Sequence, residues 1–176
     1  MQRGILIDDA RQMRRVDYPL WVFFAVPLGA LLIQVYLPLF RPLQFARYVE
    51  LPLLATIYFA IMRRSQLSGM TIGMLLGLAQ DSLFYQKIGM YGISKTMVGY
   101  FAAYVGLQFD VENAFVRVVL ALVFYLFHQF LYWVLQRGLL DQAVPFDLPR
   151  ELVLAIINAV LAMALYHLLD KLRKKD

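Results

Sequence analysis

Long uninterrupted apolar runs separated by short polar and charged stretches dominate the chain. Windows near the roughly 20 apolar residues that a helix needs to cross a hydrocarbon layer fall at residues 18 to 40, 45 to 62, 67 to 85, 88 to 108, 114 to 136 and 150 to 169. Because the apolar positions are continuous rather than alternating, they predict spanning helices and argue against an outer-membrane β-barrel. The second window is the weakest. It begins among Pro42, Arg47 and Glu50 and carries Pro52, so its outer end is expected to bend or to lie in the interface, with freed backbone groups satisfied by neighbouring helices. Pro27 predicts a bend in the first helix. That first run follows about 17 polar residues and has no small-residue cleavage site after it, so it is expected to be a retained helix.

Composition sharpens this picture. Of 176 residues, 61% are hydrophobic and 16% charged, more apolar matter than a soluble core of this size absorbs. A mean hydropathy of +0.63 excludes a disordered chain. The expected fold is an all-α integral membrane protein: a six-helix transmembrane domain over residues 18 to 170, with a basic leader, 1 to 17, and a basic tail, 171 to 176. Six passes leave only short loops and no room for a soluble catalytic domain.

Lys and Arg set the orientation. One side collects Arg3, Arg11, Arg14, Arg15, Arg63, Arg64, Arg117, Lys171, Arg173, Lys174 and Lys175; the other collects Arg41, Arg47, Lys87, Arg137 and Arg150. Both termini are therefore expected in the cytoplasm. Ile5, Leu6 and Ile7, followed by Arg11, Arg14 and Arg15, suit a leader lying on the cytoplasmic leaflet, with a solvated basic segment as the plain alternative. Residues Gln136 to Arg150, with Asp141, Pro145, Asp147 and Pro149, read as a short outer loop. A net charge of +5 in a soluble protein would suggest nucleic acid, but cations beside apolar spans meet anionic lipid headgroups first.

The chemistry-bearing residues are few. The chain has no cysteine, which excludes disulfides, thiolate chemistry and cysteine-ligated metals. Its two histidines, His128 and His167, are expected at different depths, and neither metal-ligand spacing nor a nucleophile elbow nor a phosphate loop occurs. No cofactor or metal is implied, and an enzyme acting on lipid-linked precursors would need a polar pair at the bilayer boundary.

Two features remain. Gly69, Gly73 and Gly77 form a four-residue ridge, and Gly92, Thr96, Gly99, Ala103 and Gly106 form a second small stripe on one face of the next helix. Small residues let helix backbones approach closely where no hydrophobic drive operates, so helices three and four are expected to pack as a hairpin; the stripes serve either internal packing or a partner or second copy. Ionisable groups within spans cost about 2.5 to 3.5 kcal/mol each at mid-helix unless paired or wetted. Asp81 and Lys95 lie at similar expected depths and are expected to pair. Gln34, Glu50, His128 and, nearer mid-span, Asn158 fall in the same outer half, as a polar cavity for a small molecule or partner helix, or as internal hydrogen bonds.

The run Gly73-Met-Leu-Leu-Gly77-Leu-Ala-Gln-Asp81, with Gly89 eight residues on and Gly99-Tyr100 ten beyond that, resembles the signature of the bacterial rod shape-determining protein MreD family. The resemblance implies a non-enzymatic component of the cell-elongation machinery in the cytoplasmic membrane. Its partners would be MreC directly and, through the assembly, MreB, RodA and a class B penicillin-binding protein, with a homodimer compatible. It also implies a fold similar to the substrate-binding subunits of energy-coupling-factor transporters, which supplies the alternative of a vitamin- or metabolite-binding transporter subunit.

Overall fold

The computed structural model describes residues 18–19, 21–42, 48–84, 87–142 and 144–172. The leader 1 to 17, with its apolar cluster and arginines, lies outside the described residues, as do Arg47 and the tail beyond Leu172. The described residues form six α-helices: α1 (Val22–Tyr36), α2 (Leu51–Arg63), α3 (Gln66–Leu83), α4 (Met90–Val105), α5 (Ala114–Leu140) and α6 (Leu148–Asp170). A 3-10 turn, Leu37–Leu39, extends α1. The helix α1 with that turn, α5 and α6 are long and apolar enough to cross a membrane.

Several boundaries differ from those the hydrophobic windows gave. α2 starts at Leu51, not near residue 45, and is 13 residues long, about 20 Å at helical rise. Pro52 sits in its first turn, where its missing N–H removes one donor that no helical carbonyl would meet. Pro27 lies inside α1 without ending it. α5 continues to Leu140 and α6 begins at Leu148, where Asp147 accepts from the Arg150 N–H as N-cap. The outer loop thus shrinks to residues 141 to 147, because capping by Asp147 and Pro149 in the first turn start α6 earlier.

α2 is the axis of the bundle. Leu53 to Met62 are at most 1% exposed, and α1, α3, α4, α5 and α6 all pack on it. A helix too short to span reliably alone is thereby shielded from lipid on every side.

α3 and α4 form the tightest pair. A Cβ added to Gly69 would stand 2.2 Å from the Gly99 carbonyl oxygen, one on Gly73 2.2 Å from that of Lys95, and one on Gly77 2.3 Å from that of Tyr91. The three contacts share one antiparallel register, so the glycine ridge lies directly against the backbone of α4. The second stripe divides. Gly99 faces α3, whereas a Cβ on Gly106 would meet the Ile61 carbonyl oxygen of α2 at 2.6 Å.

Candidate functional site

The outer end of the bundle, named after the orientation that the charge count predicts, holds a buried polar network built from α1, α2, α3, α4 and α6, with one ring of α5 stacked against it. Its centre is Glu50, the residue preceding α2. One carboxylate oxygen, Oε2, accepts from Lys95 Nζ of α4 at 3.0 Å and from Gln80 Nε2 of α3 at 3.3 Å. The Glu50 backbone N–H donates to Asn158 Oδ1 of α6 at 2.8 Å, and the next N–H, of Leu51, to Gln34 Oε1 of α1 at 3.1 Å. Asn158 Nδ2 donates in turn to the Tyr48 and Leu154 carbonyls. Lys95 Nζ also lies 4.8 Å from the centroid of the Tyr91 ring, and His128 of α5 stacks on that ring, nearly parallel at 5.8 Å.

Physical necessity explains the arrangement. The first turn of a helix leaves backbone N–H groups without helical partners, and within a bilayer water cannot supply them. α2 starts deep in the bundle, and Asn158 and Gln34 serve as its caps from neighbouring helices. α4 has the same problem and a local solution. The Asp81 carboxylate accepts from the N–H groups of Gly89, Tyr91 and Gly92 at 2.8, 3.0 and 3.1 Å, so the last turn of α3 caps the start of α4. Gly89, with φ +101°, supplies the left-handed turn that points these donors at one carboxylate.

The expected Asp81 to Lys95 pair therefore does not form. Asp81, fully buried, bonds backbone donors, and Lys95 bonds Glu50. Lys95 points along α4 toward the start of α2, where the late beginning of that helix places Glu50 at the depth of Lys95. Gln34, Glu50, Asp81, Lys95, His128 and Asn158 are all at most 9% exposed and pack against one another and the backbone instead of lining an open cavity. Gln80 and Tyr91 belong to the network as well. Gln80 stood within the glycine motif, one position before Asp81, where its amide signals a buried donor.

Next to this network a cavity of about 240 Å³ opens at the outer end, lined among others by Tyr91, Gln129, Tyr132, Gln136, Arg150 and Glu151. Tyr91 and Tyr132, stacked at 4.8 Å, divide it from His128.

The sequence model of the family described as rod shape-determining protein MreD matches residues 14–175, nearly the whole chain. The chain belongs to the MreD family. No curated relative and no solved structure matches it. Membership in the MreD family assigns it to rod shape determination, and its apolar helices make it a membrane protein. The Gly73 to Asp81 run that carries the MreD resemblance supplies both the backbone contact of the hairpin and the cap of α4.

Proposed function

We propose that this MreD-family chain is a non-enzymatic scaffold of the cell-elongation machinery that binds MreC and so helps organise peptidoglycan synthesis. On this reading it crosses the bacterial cytoplasmic membrane six times with both termini in the cytoplasm, in an arrangement similar to the substrate-binding subunits of energy-coupling-factor transporters. The short helices α2 and α4 are compatible with six passes because side chains cap them within the bundle. MreB, RodA and a class B penicillin-binding protein would be reached through MreC, and the outward faces leave room for a second copy.

One observation carries the reading. Gln34, Glu50, Asp81, Lys95 and Asn158 are engaged with one another and with helix ends, while the outward faces of α3 to α6 are apolar, with Leu75, Phe101, Phe130, Val153, Ile156 and Val160 exposed. Such a body offers rigid helix faces to partner helices. Co-expression with the MreC of the same cell tests it: a detergent-stable complex is expected, and loss of rod shape on depletion. Failure of both overturns it.

The 240 Å³ outer cavity, with its aromatic and polar lining, favours the alternative of a metabolite-binding transporter subunit. Native mass spectrometry decides between them, because a small ligand retained by the purified protein would speak for the alternative.

A further inference from the structure

α1 and α3 each pack on α2 and touch one another, and beside that contact a groove of about 520 Å³ opens toward the membrane. Its walls are mostly apolar, with Phe24, Leu28 and Leu31 from α1 and Leu67, Ile72 and Leu75 from α3, and carry the hydroxyls of Ser68 and Thr71 on α3. Phe24, Leu28, Leu67 and Leu75 are each more than half exposed, so the groove is continuous with the lipid phase. Its length identifies what fits. From Phe23 to Leu31 on α1 and from Leu67 to Ala79 on α3, it covers about 12 to 18 Å at helical rise. A hydrocarbon core is roughly 30 Å thick, so the groove is about one leaflet deep, half of what a partner's spanning helix would need to lie along.

Its inner mouth is cationic. Arg63, the last residue of α2, lines the groove there, and its guanidinium lies 4.5 Å from the centroid of the Phe23 ring. That ring is itself packed against Tyr18 and Phe59. No carboxylate of the described residues pairs with Arg63. A seated guanidinium at headgroup level above an apolar slot of single-leaflet depth matches an anionic phospholipid, with the phosphate on the cation and a chain in the slot. We propose that the α1 to α3 groove is a binding site for one anionic phospholipid of the leaflet on the Arg63 side. This is the cytoplasmic leaflet if the orientation under Proposed function holds; the site itself does not depend on MreC binding.

Native mass spectrometry of the full chain, released from detergent after equilibration with phosphatidylglycerol or phosphatidylcholine of matched chains, tests the site. Wild type should retain phosphatidylglycerol over phosphatidylcholine by roughly five-fold, the effect of one basic side chain at a charged membrane surface. Arg63→Gln should bring the two lipids to parity and Arg63→Lys should keep the preference, whereas Leu75→Trp, filling the slot, should lower retention of both. Equal retention by wild type, or a preference that survives Arg63→Gln, overturns the proposal. If Arg63→Gln does not fold, unchanged retention of phosphatidylglycerol by Leu75→Trp overturns it. A photo-crosslinker at Leu28 in native membranes should yield a lipid adduct, and a protein adduct would make a partner helix the occupant. MreC co-purification should be unchanged in Arg63→Gln, which separates failure of this site from failure of the scaffold reading.

Discussion

The two ends of the bundle each carry a carboxylate facing a cation, but the surroundings differ. At the outer end the Lys95 side chain is 0% exposed and that of Glu50 12%, and the same residue, Glu50, has its backbone N–H capped by Asn158. At the inner end Arg117 Nη1 donates to both oxygens of Asp170 at 2.8 Å, with the Tyr58 hydroxyl donating to Oδ1 at 2.7 Å and bonding Tyr18 in turn. There the Asp170 side chain is 31% exposed and that of Arg117 9%, so water reaches the acid of the inner pair and only the edge of its cation. Breaking the outer pair leaves a charge that nothing reaches. Similar pairs thus carry different structural weight, and what separates them is access to water.

The comparison can be broken most severely through the backbone that supports the outer network. Gly73→Leu places a side chain where a Cβ would already lie 2.2 Å from the Lys95 carbonyl oxygen. We expect no folded monodisperse protein in size-exclusion chromatography; a stable Gly73→Leu protein would show that the hairpin does not need backbone contact. Next comes Asp81→Ala, which strands three N–H groups at the start of α4. Thermal unfolding in detergent should show a loss of about 3 to 5 kcal/mol, by the cost of removing one side of a buried charged network. A loss below 1 kcal/mol on the same order-of-magnitude scale would mean that water caps α4 instead.

Smaller effects sharpen the contrast. Gln34→Leu removes one cap, that of the Leu51 N–H, and should cost about 1 to 2 kcal/mol. Asp170→Asn at the inner end keeps a hydrogen-bonding side chain beside the nearly buried Arg117 and should cost about 1 to 2 kcal/mol, less than Asp81→Ala. Raising salt from about 0.1 to 1 M, which shortens the screening length from roughly 10 to 3 Å, should narrow the Asp170→Asn difference and leave that of Asp81→Ala unchanged. Equal salt sensitivity at both ends would remove the distinction.

Much of the fold is legible in the sequence because the responsible physics is local. Continuous apolar runs place the six helices of the described residues, and the four-residue spacing of Gly69, Gly73 and Gly77 points to the close hairpin with α4. The partner of Lys95 is not legible in this way. Depths counted from assumed helix ends put Asp81 beside it, whereas the pairing depends on where α2 begins, and that is decided by tertiary caps from Asn158 and Gln34, which lie 108 and 17 positions from the N–H groups they cap. Asp81 reads as a mid-span charge seeking a cation, and its partners are instead N–H groups across an eight-residue turn. Backbone donors carry no sequence signal apart from the Gly89 that orients them. The groove beside Arg63 is equally silent, since it arises from how α1 and α3 each pack on α2.

A double-mutant cycle compares the two candidate partners of Lys95 directly. Stability would be measured by thermal unfolding in detergent for Glu50→Gln, Asp81→Asn, Lys95→Met and the two double variants that include Lys95→Met. The structure predicts a coupling of about 2 to 3 kcal/mol between Glu50 and Lys95 and a much smaller one between Asp81 and Lys95. A larger coupling for Asp81 than for Glu50 would contradict the network around the start of α2, and with it the view that the buried polar residues serve to hold the six helices in one body.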